Sequence, residues 1–319
     1  MTKMDIISSL ALFIRTIPGT LAQGILWGIV ALGVFITYKI LDFPDLTVDG
    51  SGSLTLGGAV SAVLVSNGFN PFLALLVSAC AGMLAGSVTG ILHTKLRIVG
   101  LLAGILTMYG LYSVNLRVMG KPNISLLHID TIFTHIKAFF GLEQLPIEWI
   151  WLSFGLLVSI VLVTLAYFFF GTEIGQAIRA TGDSPDMIRA LGANTDSLKI
   201  IGLVISNGVI GLAGGMIAQQ QGFADIQMGF GTIVVGLASV IIGEVFFGKF
   251  NFLIRFCGAF AGSVIYRLIV SFILDIQIGS FRINPNDLKL VTAILVVIAL
   301  SPPTIKAWLD KRKLKVQQI

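Results

Sequence analysis

Residues 171–215 read GTEIGQAIRATGDSPDMIRALGANTDSLKIIGLVISNGVIGLAGG, a charged, glycine-punctuated stretch in an otherwise apolar chain. The runs on either side, 147–170 and 200–221, are long enough to cross a hydrocarbon core roughly 30 Å thick. Inside the stretch, Ser184 or Asp183 can cap a helix beginning at Pro185, a residue favoured in the first helical turn, and Gly192 can end it. A short charged helix between two membrane spans, with Arg179 and Arg189 beside it, suits the docking of a partner. The plainer alternative is a solvated loop.

Working outward, the same contrast organises the whole chain. Of 319 residues, 55% are hydrophobic and only 12% charged, and the mean hydropathy is +0.94; an average soluble domain is about 25% charged. Apolar runs are expected to span near 24–41, 54–70, 72–92, 98–118, 147–170, 200–221, 231–248, 252–274 and 288–305, nine in all. A β-barrel needs alternation instead of continuous apolar runs, so the fold class is an all-α polytopic transmembrane bundle. Residues 4–17 form a further apolar helix, interrupted by Arg15 and closed by Pro18, that lies in the interface or makes a tenth span. There is no signal-peptide pattern, because no small-residue cleavage site follows the first apolar stretch. Residues 1–319 read as a single membrane domain, with a coupling loop at 171–199 and a basic tail at 304–319.

That tail carries Lys306, Lys311, Arg312, Lys313 and Lys315 against Asp310, which places the C-terminus in the cytoplasm by the positive-inside rule. Counting back puts 93–97, 171–199 and 248–255 inside and 119–146, 222–230 and 275–287 outside; nine spans put the N-terminus outside, ten inside. The net charge of +5 sits at segment ends and in the tail, so it reports orientation, not nucleic-acid binding. An amphipathic stretch from Asp130 to Phe140 is expected to lie along the outer surface or under a partner.

The 36 glycines include spaced pairs: Gly82, Gly86 and Gly90, then Gly24 and Gly28, Gly100 and Gly104, Gly211 and Gly215, Gly258 and Gly262. They read as packing ridges that let backbones approach in lipid. Cys80 and Cys257 lack the spacing of a metal or redox pair and are read as core residues. His93, His128 and His135 have no accompanying carboxylate pattern, so no metal site is expected. Gly243 to Lys249 spells most of a phosphate loop, but Phe250 stands where Ser or Thr would hold magnesium. ATP chemistry belongs elsewhere.

A second informative stretch is FPDLTVDGSGSLTLGGAVSA, Phe43 to Ala62. Unwound backbone at membrane depth is tolerated only where it is buried in protein or lines a cavity. Thr47, Ser51, Ser53 and Thr55 offer hydroxyls there, Asp49 could receive an ammonium group, and Gly57 permits close approach; an ordinary solvated loop is the alternative. Tyr109, Asn115, Asn207 and Gln219 to Gln221 are polar groups in or near spans that either satisfy neighbouring helices or touch solute. Arg267 could pair with Asp275 or snorkel outward.

The run Gly175, Ala177, Arg179, Ala180, Gly182, Asp183, Ala190, Gly192, then Lys199 and the Gly-rich Gly208 to Gly215, resembles the permeases of the branched-chain amino acid and ribose class of ABC importers. The similarity extends over most of the chain. It implies that Arg179, Asp183, Ser184, Pro185, Arg189 and Gly192 belong to the helix that couples to an ATPase subunit, and that the Phe43–Ala62 stretch leads into a broken helix beside the solute path. Leu46 to Ser51 and Ile105 to Ile124 resemble the branch paired with binding lipoproteins for tryptophan or tyrosine. The expected partners are ABC ATPase subunits that bind the ATP and magnesium, a binding lipoprotein and a second permease copy, in a bacterial inner membrane. No cofactor and no catalytic residue are expected in this chain itself. Glu244 and Val245 depart from the small residues common after Gly243 in that class. The competing class, an ion-gradient-driven transporter or channel, should show ionisable relays in mid-membrane, which are scarce in the sequence.

Overall fold

The computed structural model describes residues 3–141, 144–248 and 251–275, together with 277–278, 281–282, 290, 293–294 and 297, and side chains from residue 16. Long helices dominate: α1 (Lys3–Phe35), α2 (Ser53–Ser66), α3 (Pro71–Thr94), α4 (Gly100–Met119), α5 (Ile132–Phe140), α6 (Ile147–Gly171), α7 (Glu173–Asp183), α8 (Pro185–Ala190), α9 (Thr195–Gln221), α10 (Thr232–Phe247) and α11 (Phe252–Asp275). Strands β1 (Asn123–Ser125) and β2 (Phe223–Asp225) pair antiparallel, as do β3 (Gln277–Ile278) and β4 (Phe281–Arg282).

Among the described residues, six helices are long and apolar enough to span: Thr16–Ile40, Pro71–Thr94, Gly100–Met119, Ile147–Gly171, Thr195–Gln221 and Phe252–Leu274. The runs expected at 54–70 and 231–248 are helices of only 14 and 16 residues. At 1.5 Å per residue they reach about 21 and 24 Å, short of the full hydrocarbon core. The tail 304–319 and all but four residues of the expected span 288–305 lie outside the described residues. Residues 4–17 are not a separate helix, since α1 runs unbroken through Pro18. Helices tolerate proline in membranes when neighbours re-satisfy the freed carbonyls.

At the centre, α9 packs against α2 and α3, while α1, α10 and α11 form a second group joined to it through α1. Glycines set these distances, as the ridges in the sequence anticipate. A methyl group at Gly82 would collide with the Asn207 carbonyl, one at Gly86 with the Leu203 carbonyl and one at Gly214 with the Leu54 carbonyl. On the other side Gly243 meets Gly258, and Gly262 meets Ser239, backbone to backbone. Cys80 and Cys257 are exposed rather than in the core, which corrects the sequence expectation.

The chain ends fix which elements share a side. Phe43 touches both the His93 ring, at 5.0 Å, and the position of Gly100, so the end of α1, the end of α3 and the start of α4 lie together. Gly182 in α7 sits directly on the backbone of Ile40 and Leu41, which places the 171–199 loop on that same side, the loop side. Glu244 pairs there with Lys39 at 2.7 Å and with Arg255 at 3.8 Å. The residue that departs from the family pattern therefore ties α1, α10 and α11 together. On the opposite side Gln219 accepts a hydrogen bond from the Ile132 backbone at 3.1 Å, seating α5, whose Ile132 and Phe133 are buried while Phe139 and Phe140 are exposed.

Candidate solute path and coupling loop

Two segments break at membrane depth and meet. Helix α1 finishes in a π-turn, Ile36–Ile40, after which the chain runs back into the bundle through a single 3-10 turn, Leu46–Val48, before α2 begins. From the other side the chain re-enters after β2 and starts α10 at Thr232. Backbone groups of Gly50 and Gly229 pair where the two cross. Gly50, at φ +57°, turns the chain in a left-handed conformation that favours glycine.

Polar side chains hold this crossing. Asp45 accepts the Thr47 backbone N–H at 2.9 Å and the Asn207 amide at 2.7 Å, and that amide also donates to the Leu203 carbonyl at 3.0 Å. Thr47 and Thr89 hydroxyls lie 2.6 Å apart, and Thr89 donates onward to Thr107 at 2.9 Å, linking the 3-10 turn to α3 and α4. Further along, Asn115 donates to the Ser51 carbonyl at 2.7 Å, Ser51 to the Ile226 carbonyl at 2.9 Å, and Thr55 to the Gly50 carbonyl at 2.7 Å. Ser53 reaches the Thr47 carbonyl at 3.4 Å. Buried away from the bilayer, an irregular backbone needs such bonds to satisfy its polar groups.

The structure thus brings together six of the eight residues expected along the solute path: Thr47, Asp49, Ser51, Ser53, Asn115 and Asn207. Their donors are spent largely on the crossing itself, while the buried amide oxygens Asn115 Oδ1 and Asn207 Oδ1 have no hydrogen-bond partner among the described residues. Gly57 lies beside them, pressed against the Gly211 backbone as a packing contact. Tyr109 stands apart, 70% exposed on the outward face of α4. Asp45, absent from that expectation, is the most enclosed acid of the group at 3% exposure. Its signal in the sequence was an acid lodged in FPDLTV between apolar runs, where an intramembrane carboxylate is by default functional.

Asp49 has a specific local task. Its carboxylate accepts the Ile233 N–H at 3.3 Å, at the first turn of α10, whose preceding residue Gly231 offers no side-chain cap. A carboxylate there satisfies orphan N–H groups and the positive end of the helix dipole. Asp49→Ala is expected to lower stability by about 1 kcal/mol, whereas Asp49→Asn, which keeps the acceptor, is expected to be close to neutral in thermal unfolding. Equal damage from both would show that the charge, not the cap, matters.

The 171–199 loop holds two helices, not one. The sequence places a single helix from Pro185 to Gly192 capped by Ser184 or Asp183; the structure has α7 ending at Asp183 and α8 beginning at Pro185, hinged at Ser184. Ser184 makes no side-chain cap on α8, and its backbone N–H closes α7 onto the Ala180 carbonyl. Gly192, at φ +87°, ends α8 as expected. Arg189 stays exposed and bridges the loop, donating to Thr195 at 2.8 Å with Asp186 and Asp196 each at 3.7 Å. Arg179 stacks over Phe252 of α11 at 4.0 Å. Missed by sequence reading are Met187 on α8 and Leu191 just past its end, four residues apart and 52% and 75% exposed. Arg267 stacks on Trp27 at 4.3 Å; the pairing expected with Asp275 falls on a side chain outside the described residues.

The family described as branched-chain amino acid transport system permease component matches residues 16–300. The chain belongs to that family. The permease is the membrane-spanning subunit of an ABC importer, as the order and spacing of its motifs imply. It is 42% identical over 300 residues to the tyrosine transport system permease protein of Clostridioides difficile (strain R20291), covering 94% of this chain and 95% of that one. The uncharacterized protein RP368 of Rickettsia prowazekii (strain Madrid E) is 35% identical over 274 residues, 85% of this chain and 91% of that one. The autoinducer 2 import system permease LsrC of Yersinia pseudotuberculosis serotype IB is 31% identical over 196 residues, covering 61% of this chain and 51% of that one. Among solved structures, PsaBC from Streptococcus pneumoniae shares the permease fold with a TM-score of 0.51 at 15% identity, over 97% of this chain and 99% of that one.

Proposed function

We propose that the permease carries an amino acid, with aromatic amino acids the favoured class, through an importer powered by a separate pair of ATPase subunits that hold the ATP and magnesium. A binding lipoprotein delivers the solute from the side opposite the coupling loop, and a second permease copy completes the passage. The chain itself performs no covalent chemistry. The tyrosine transport relative supports the substrate class. The loop side, which carries Lys39, Lys95, Arg97, Lys199 and Arg255, is the cytoplasmic side of a bacterial inner membrane.

One contact carries the coupling mechanism. Gly182 lets the α7 backbone close onto Ile40 and Leu41, where the broken segment begins, and that segment leads within a few residues to Asp45 and Thr47. A push on α7 and α8 from an ATPase pair therefore reaches the crossing through packed backbone, not through a flexible tether. Two packed arrangements of such a joint are what alternating access requires.

Docking is assigned to Met187 and Leu191, while Arg189 staples the loop that presents them. Met187→Asp with Leu191→Asp is expected to reduce co-purification of the ATPase about tenfold or more, as loss of an apolar contact worth at least about 1.4 kcal/mol would. Arg189→Glu is expected to do the same by placing a third acid beside Asp186 and Asp196. Wild-type co-purification from the double variant would remove α8 from the interface. For the solute, proteoliposomes holding permease, ATPase and binding protein should take up labelled tyrosine or tryptophan in preference to ribose. Uptake of ribose alone would overturn the amino acid reading.

A further inference from the structure

The seam between α1, α6 and α11 holds two cavities that the transport reading does not use. One, of about 760 Å³, opens on the side opposite the coupling loop and is lined by Thr20 and Gln23 of α1, Glu148 and Trp149 of α6 and Ser271 of α11. The other, of about 290 Å³, lies deeper between the same three helices, lined by Ile25, Leu156, Ile160, Val163 and Phe260, with Ser159 and Cys257 among them. The two linings share no residue and are separated by about two turns on α6, from Trp149 to Leu156. A polar space near the start of α6 thus stands above an apolar one on the same seam.

The chemistry of the outer cavity is selective. Glu148 is exposed and has no ion pair among the described residues, and the Trp149 ring beside it is 50% exposed. Gln23, Thr20 and Ser271 add neutral oxygens, the last two already joined at 3.1 Å. No cation lines this space among the described residues. A carboxylate, an aromatic face and several oxygen acceptors suit a primary ammonium, which donates three hydrogen bonds and is drawn to a ring face. The first-turn N–H groups of α6, beginning at Ile147, lie at the same level and suit an adjoining phosphate. The apolar cavity below has the length and composition for part of an acyl chain.

We propose that this seam binds a phospholipid bearing a primary ammonium headgroup, drawn from the leaflet opposite the coupling loop. The head occupies the Glu148 cavity and a chain fills the Leu156–Phe260 cavity, wedging α6 against α1 and α11. A quaternary ammonium cannot donate to the carboxylate and acceptors, and an anionic headgroup meets Glu148 with like charge, so both bind less tightly.

The full-length permease, purified in detergent and delipidated, is titrated in mixed micelles with dioleoyl phosphatidylethanolamine, phosphatidylcholine or phosphatidylglycerol while its thermal midpoint is followed. The ethanolamine lipid is expected to raise the midpoint at about tenfold lower concentration than the other two, the worth of one charge-assisted hydrogen bond. Glu148→Gln, at an exposed position, should keep the lipid-free midpoint and erase that preference. Soluble glycerophosphoethanolamine, which has the head without the chains, should have no effect at the same concentrations. Equal responses to the three lipids, an unchanged preference in Glu148→Gln, or full stabilisation by the soluble headgroup would each overturn the proposal.

Discussion

Valine at Gly57 is expected to prevent the permease from assembling, with a large loss of monodisperse yield and of thermal stability in what remains. The α-carbon of Gly57 lies so close to α9 that even one added methyl would overlap the Gly211 carbonyl, a backbone atom that no side-chain rotation can move aside. Separating α2 from α9 would in turn disturb the Leu54–Gly214 contact one turn away and the crossing that α2 begins. Overpacking of this kind costs about 1–3 kcal/mol when neighbours can shift, and more when they are backbone. Gly110→Val is the control: it lies on the exposed face of α4 with nothing near its missing side chain, and should behave as wild type. A Gly57→Val protein that is as stable as the control yet imports poorly would return Gly57 to the solute path, where the sequence alone had placed it.

The second large effect is expected at Asp45 and Asn207. Asn207→Leu removes the amide that lies 2.7 Å from the Asp45 carboxylate and leaves that carboxylate buried with one donor fewer. Losing a partner of a buried polar group costs about 1–3 kcal/mol, and more for a charge. Asp45→Leu leaves the Thr47 N–H and the Asn207 amide short of an acceptor, with a cost of the same order. The double variant removes both ends at once, so its loss should be smaller than the sum of the single losses by about 0.5–3 kcal/mol. Unfolding of the four forms in one detergent measures this directly. Strict additivity would show that the two residues do not act as a unit, and the crossing would then depend on the Thr47–Thr89–Thr107 chain alone.

Much of this architecture was legible in the sequence. Eight of the nine expected spans fall on helices of the described residues, because a run of apolar residues in lipid has no alternative to helix that satisfies its backbone. The glycine ridges were legible for the same reason, since small residues at spacing four mark a face whatever they face. Within the loop, proline at the start and glycine at the end of α8 were read correctly from local preference. Less legible were the statements that depended on a neighbour: Cys80 and Cys257 read as core residues and are exposed, Arg189 bonds Thr195 across its own loop, and Tyr109 is exposed on α4 apart from the six grouped residues.

The sequence by itself determined the helical membrane class, the positions of the breaks and the family, since each follows from local composition, period and order along the chain. Only the tertiary structure decided which polar groups meet. Asp45 and Asn207 are 162 residues apart, and Asp49 caps a helix 184 residues further on. Nothing in either neighbourhood encodes the other. Their pairing is set by glycine-closed contacts between helices distant in the chain, which place one broken segment against another at a depth where no water can take the place of the missing partner.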